Sequence, residues 1–304
     1  MGYQLIFHLV FKNMFAIKIN RIILLYSFCI IAFISCDIVK NANPPIEPTT
    51  AINPSIIYKK VLLEKYTGHK CGNCPAASDI SNALQNQYTN KIIPLSIHAG
   101  FFATVNTTYP TDFRTTVGNN YDTQFGISSA GNPNGLVNRV GYGQGSFIKS
   151  PSIWGSDISQ IVNQEAKFEL KIKTNFNSTN SNLNTTVIVK SLAVNDGNYR
   201  VVVLLSEDSI VAEQIDYRLP SGNQLNTNYI FRHVLRGAIN SEWGDAIFIT
   251  PANPNDSVVK LYSNYTINSS YNSNKCYVIA YVYDANPLSA TYYEVLQAEE
   301  KKIK

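Results

Sequence analysis

Hydrophobic and polar positions change rhythm near Ala166. Before it, short apolar runs alternate with helix-like spacing. Val61, Leu62 and Leu63 open a strand that stops at Thr67-Gly68, and CPAASDISNALQNQY follows with Ala77, Ile80 and Leu84 spaced for one face of a helix. KIIPLSIHAG reads as a second strand. Residues 101–125 are long, polar and punctuated by aromatics, with helix in part. GNPNGLVNRVGY is a turn running into a strand, and a helix from about Ser152 to Glu165 closes the unit. This order predicts an α/β domain over residues 58–165.

After Ala166 the period becomes two. In KFELKIK, Phe168, Leu170 and Ile172 face one way while Lys167, Glu169, Lys171 and Lys173 face the other, as in a half-buried strand. TTVIVKSLAV, YRVVVLLSED, CYVIAYVYD and YYEVLQAEEKKI repeat the signature between Asn-, Gly- and Ser-rich turns. An antiparallel sandwich of the immunoglobulin-like kind is expected over residues 166–304.

The beginning of the chain has a different character. Lys12, Lys18 and Arg21 precede the 13-residue apolar run Ile22 to Ile34, and no acid occurs before it. A basic region followed by an apolar run too short to span a bilayer predicts a cleaved export signal over residues 1–35. MFAIKINR plus that run is already a compact signal, so Met14 is the expected initiator. Ser35-Cys36 at the end of the run resembles a bacterial lipobox, which would make Cys36 the lipidated first residue; Phe33 and Ile34 depart from that pattern, and plain secretion is the other reading. Residues 36–57, with Pro44, Pro45, Pro48 and Pro54, read as a tether.

Removing residues 1–35 takes 3 of 25 basic and none of 21 acidic residues, so the remainder is almost neutral. No basic face for nucleic acid is implied.

The chemistry concentrates in EKYTGHKCGNCP. Cys71 and Cys74 lie where a strand gives way to a helix, so the positive end of the helix dipole falls beside them. His69 and Lys70 add positive or potentially positive charge, and both effects lower a thiol pKa. Cys71 is the expected attacking sulfur and Cys74 the resolving one. A structural disulfide is the plainer alternative in an oxidising compartment. A zinc half-site lacks a second ligand pair: past residue 74 the one further cysteine is Cys276, and His69, His98 and His233 have no metal spacing. No metal or cofactor is expected. Cys276 reads as a small buried hydrophobe, His98 as a packed or capping histidine, Arg139 as structural and Trp243 as a core residue flanking a turn.

The CGNCP pair after a strand, with a proline-bearing turn before a later strand, resembles the thioredoxin superfamily. That resemblance implies a cis-proline facing the disulfide, with Pro133 in GNPNGLVNR as its match, and a buried proton-handling acid. Glu64 is the nearest acid for that role, one residue off the thioredoxin offset; a solvent-facing strand acid is the other reading. Lys70 replaces the usual Trp and Asn73 the usual Pro, which leaves substrate grip and potential open, and residues 101–128 look like an insertion shaping the site.

EKYTGHKCGNCP, GNPNGLVNR, HVLRGAINSEWGD and YVIAYVYD…YYEVLQAEE together resemble the twenty-eight-kilodalton outer-membrane-protein family of Bacteroidetes lipoproteins. That resemblance implies an outer-membrane lipoprotein with a thioredoxin-like domain and a C-terminal β-sandwich. Asp208-Ser209-Ile210 and Asp256-Ser257-Val258 resemble the O-glycosylation triplets of Bacteroidetes envelope proteins. Two functions follow as expectations: thiol-disulfide exchange with protein thiols, disulfides or an envelope redox partner, or surface binding and adhesion by the sandwich, with the Cys pair as a staple.

Overall fold

The computed structural model describes residues 56–145, 147–248 and 251–304. The expected export signal, Cys36 and nearly all of the tether lie outside them.

Strand β1 (Val61–Thr67) and strand β2 (Ile92–His98) are buried along their whole length and pair in parallel from Val61↔Ile92 to Thr67↔His98. Helix α1 (Cys74–Gln87) makes the crossover between them, with Pro75 in its first turn, where a missing N–H costs nothing. Its inner face is Cys74, Ala77, Ser81 and Leu84, so Ser81 takes the inward position expected for Ile80, which is 38% exposed. Helix α2 (Thr116–Phe125) begins at Thr115, whose side chain accepts from Gly118 N, and stops at Gly126 in the left-handed region at φ 68°. Strand β3 (Asn134–Val137) lies antiparallel on β1, and helix α3 (Pro151–Ile161) buries Trp154, Ile158 and Ile161.

The helices take opposite faces of this sheet. Val61 and Leu63 pack with Ala77, Leu84, Trp154 and Ile158 under α1 and α3, whereas Leu62 and Tyr66 pack with Val117, Tyr121 and Phe125 of α2. Side chains alternate along a strand, so every odd position of β1 looks toward α1 and every even one toward α2.

The remaining strands are β4 (Phe168–Asn177), β5 (Asn182–Ser191), β6 (Tyr199–Glu207), β7 (Ile210–Ile215), β8 (Leu225–Phe231), β9 (Val234–Ala238), β10 (Asp245–Ile247), β11 (Ser257–Thr266), β12 (Cys276–Asp284) and β13 (Val295–Lys302). Phe168, Leu170 and Ile172 are buried, as their alternation predicts. β4, β5 and β11 form a three-stranded sheet in the order β11-β5-β4. Its inner face packs on Val201, Val203 and Leu205 of β6 and on Cys276, Val278 and Ala280 of β12. This is sandwich packing of two apolar sheet faces.

The structure is thus mostly β, with few helices among the described residues. It departs from the expected pair of separate units divided at residue 165. The large sheet runs β13-β12-β6-β9-β2-β1-β3, with β10 beside β6, so strands from both halves share one sheet. The junction is short. β9 meets β2 in parallel at Ser96↔Val234, with Ser96 N donating to His233 O at 2.7 Å. Pro94, of the same strand parity as Ser96, lies just before this pairing begins, where its missing N–H leaves no ladder bond unmade. An α/β unit standing apart from a free sandwich is therefore not observed: β9 has its two edges satisfied by β6 and β2, one from each side of the expected boundary.

Candidate functional site

Cys71 and Cys74 form a disulfide across the turn that leads from β1 into α1. Cys71 N donates to Gly68 O and Cys74 N to Cys71 O. Cys74 is the first helical residue, so Cys71 sits one turn before the helix start. The cysteines are only 3% and 2% exposed.

Their cover comes from the β7–β8 hairpin, a two-stranded sheet of its own. Ile215 N donates to His69 O and Tyr217 N to Gly72 O, each at 2.9 Å, and Gln214 Nε2 donates to Cys71 O at 3.0 Å. The hairpin end thus runs along residues 69–72 as an added strand would. A Cβ on Gly72 would overlap the Tyr217 ring, so a side chain at this position must displace that ring. Beyond Tyr217, Arg218 pairs with Asp216 and reaches Asp79 on α1.

The two residues expected to charge the site do not face the sulfurs. His69 is buried, donates from Nε2 to Thr104 O at 3.0 Å and stacks on Tyr109; burial lowers its pKa, so it is neutral. Lys70 binds Thr104 Oγ1 and lies over the Phe101 ring at 4.5 Å. Residues 101–104 thus hold both side chains beside the motif.

Glu64 is neither solvent-facing nor beneath the disulfide. As an even position of β1 it points toward α2, where it accepts from Arg139 Nε and Nη2 at 2.7 and 2.6 Å. Arg139 also donates to Tyr281 OH at 2.9 Å, and its guanidinium lies about 5 Å from the ring centres of Tyr121, Phe125 and Tyr281. Glu64 and Arg139 are both fully buried. The assignment of Arg139 to structure fits this place.

The residue on the disulfide's side of β1 is Lys65, which sequence reasoning passed over: both faces of β1 are buried, so the strand's pattern carries no signal for the face that Lys65 takes. Lys65 is 5% exposed and donates from Nζ to Ser78 Oγ at 2.8 Å; Ser78 Oγ in turn donates to Cys74 O at 3.1 Å. Burial lowers the Lys65 pKa to about 8, with Asp79 opposing. A cavity of about 20 Å³ is lined by Lys65, Cys74, Ser96, His98 and Gln214, with β8 closing it. That is room for one water. His98 is buried against Phe113 and Phe231, and among the described residues neither ring nitrogen has a hydrogen-bond partner. Burial pulls its pKa well down, so it too is neutral.

The Asn132–Pro133 bond is cis, and Asn134 pairs with Tyr66, so Pro133 lies at the end of β1 from which the chain leaves for Cys71. Cys276 lies in the sandwich core, outside the lining of this cavity; burial pushes its thiol up to about 12. Trp243 packs against Tyr121 and Tyr293. Of the two serine triplets, Ser257 is exposed at the start of β11 and Ser209 is half-buried in the turn before β7. Among the described residues no group of three or more His, Cys, Asp or Glu could hold a metal, and no helix is long and apolar enough to cross a membrane.

The family model described as outer membrane protein Omp28 matches residues 118–304, which includes the covering hairpin but not the Cys pair. No curated protein matches the chain. HBP35 of Porphyromonas gingivalis superimposes with a TM-score of 0.60 at 18% identity, covering 81% of this chain and 76% of that one, so the two are alike in fold. A protein of Agrobacterium tumefaciens gives a TM-score of 0.46 at 11% identity over 82% of this chain and 96% of its own.

Proposed function

The chain belongs to the Omp28 outer membrane protein family, and from that premise we propose an envelope protein, anchored through a lipid on Cys36, whose Cys71–Cys74 pair is a thiol-disulfide exchange centre kept closed by the β7–β8 hairpin. The first part of the large sheet is read as thioredoxin-like. Its support is a parallel β1–α1–β2 unit, an antiparallel β3 that starts just after Pro133, helices on both faces, and a Cys pair entering α1.

One observation carries the redox reading. A desolvated lysine and a buried histidine with unpartnered nitrogens share a cavity with Cys74. Burying such groups costs free energy that a disulfide serving as a staple has no need to meet. For exchange to occur the Gln214–Tyr217 segment must leave residues 69–72, so that an external thiolate can approach Cys71 Sγ along the line of the S–S bond. The partner is a protein thiol, a protein disulfide or an envelope dithiol reductant.

The second reading is a surface binding or adhesion protein with the pair as a staple. The low exposure of the sulfurs and the three hydrogen bonds over them favour it. Redox titration of the mature chain, with the Cys71–Cys74 state read by alkylation and mass, separates the two. A potential between about −120 and −270 mV supports exchange, and one below about −300 mV supports the staple.

A further inference from the structure

We propose that Lys65 is the proton partner of Cys74: the group that gives a proton to Cys74 Sγ when the disulfide opens and takes one back when Cys74 attacks. The inference rests on the exchange reading above and adds to it the residue that handles the proton.

The geometry confines the choice. Lys65 shares the odd face of β1 with Val61 and Leu63, which pack on α1, so its side chain rises toward the first turn of that helix. There Ser78, one turn after Cys74, accepts from Nζ. Lys65 and Cys74 line the same small cavity, where one water can bridge groups that do not touch. The other candidates are spent or unsuited. Glu64 faces α2 and is paired with Arg139. His69 donates to Thr104 and stacks on Tyr109. His98 lines the cavity but is held neutral by its apolar surroundings.

The groups that face Lys65 act in both directions. Asp79 on α1 favours its charged form. Arg232, which also lines the cavity, is a like charge, and His233 and His98 both sense the Lys65 charge. Tyr229 of β8 also lines the cavity. Burial dominates this balance and leaves a lysine whose proton is exchangeable near neutral pH.

The step balances as follows. A thiolate of a dithiol reductant attacks Cys71 Sγ, the Cys71–Cys74 bond breaks, and its electron pair passes to Cys74 Sγ. That sulfur is protonated by the Lys65 ammonium, which becomes a neutral amine. The second thiolate of the reductant then displaces Cys71, so the reductant leaves as a disulfide. In the reverse direction neutral Lys65 takes the proton of the Cys74 thiol, Cys74 Sγ attacks Cys71 Sγ of the mixed disulfide, and the partner's thiolate is expelled in reduced form.

The test is thiolate ultraviolet absorbance against pH in the full mature chain, reduced with excess dithiothreitol and freed of it without air. With Lys65 present the Cys74 thiol and the amine titrate as a coupled pair. Lys65→Met should lower the thiolate present at neutral pH by about tenfold, one pH unit in the midpoint, and the affected transition should vanish in Cys74→Ser. Ser78→Ala keeps the lysine and its packing while removing its fixed partner; it should move the midpoint by a smaller amount, and it serves if Lys65→Met fails to fold. Identical titrations in the wild type and the variants overturn the proposal. Because the protein is reduced chemically, this readout does not depend on the pair's potential, so a staple-like redox titration would defeat the exchange reading while the Lys65 coupling stood or fell separately.

Discussion

Gln214 of β7 donates through Nε2 to the carbonyl oxygen of Cys71 at 3.0 Å, linking a strand of the C-terminal half to the turn that carries the disulfide. With the backbone bonds of Ile215 to His69 and of Tyr217 to Gly72, it makes access to the sulfurs a property of the hairpin. A buried hydrogen bond of this kind is worth about 1 kcal/mol, or about fivefold in a local opening equilibrium. Gln214→Ala should therefore speed reduction of the disulfide by dithiothreitol about fivefold, with a fall of only about 2–4 °C in the global melting temperature. An unchanged rate would mean that the hairpin does not control access.

Gly72 tests the same contact from the other side. In Gly72→Ala the added methyl meets the Tyr217 ring at 2.4 Å and must push it off the turn. The cost should be about 1–3 kcal/mol in denaturant unfolding, with faster alkylation of the reduced cysteines. The double variant Gly72→Ala/Tyr217→Ala should regain most of the stability and keep the fast alkylation.

Glu64 and Arg139 form a fully buried ion pair, and removing one partner strands the other. Glu64→Gln should destabilise the protein by about 3–5 kcal/mol in urea unfolding. Replacing both residues by methionine should cost much less than the single change, because no charge is then left unpaired in the core. Equal losses for the single and double variants would contradict the geometry.

The pH dependence follows from buried titratable groups. Burial lowers the His233 pKa to about 4 and also depresses His69 and His98. The unfolded chain then binds protons that the native state does not, so the stability tied to these histidines is complete above the unfolded histidine pKa of about 6.5 and is lost as pH falls toward 4. His233→Gln should flatten the acid side of a melting-temperature profile.

Glu300 acts in the opposite sense. Burial and the neighbouring Glu299 raise its carboxyl to about 7, so its contribution is present in acid and is lost as pH rises from its ordinary value through 7. Glu300→Gln should stabilise the protein above pH 7 and have little effect in acid. A uniform shift at all pH values would show that its ionisation is not the cause.

Local pattern determined much of this protein. The period-two alternation of Phe168, Leu170 and Ile172 places β4, because a half-buried strand writes its orientation into successive residues. The Cys pair between an apolar strand and a Pro-started helix is equally local, as is the turn holding Pro133. The strand VLLEKYT is different: it is covered on both faces, so its pattern does not say which face takes Glu64 and which takes Lys65. The packing of α1 against one face and α2 against the other decided that: it paired the acid with Arg139 and set the lysine beside it in the cavity that Cys74 lines. The joining of both halves into one sheet rests on a single parallel pairing of Ser96 with Val234, and the cover over the disulfide rests on Gln214, Ile215 and Tyr217 meeting residues 69–72. Both are contacts between distant positions made by backbone and side-chain amide groups, which carry no apolar periodicity, so only the tertiary structure could decide them.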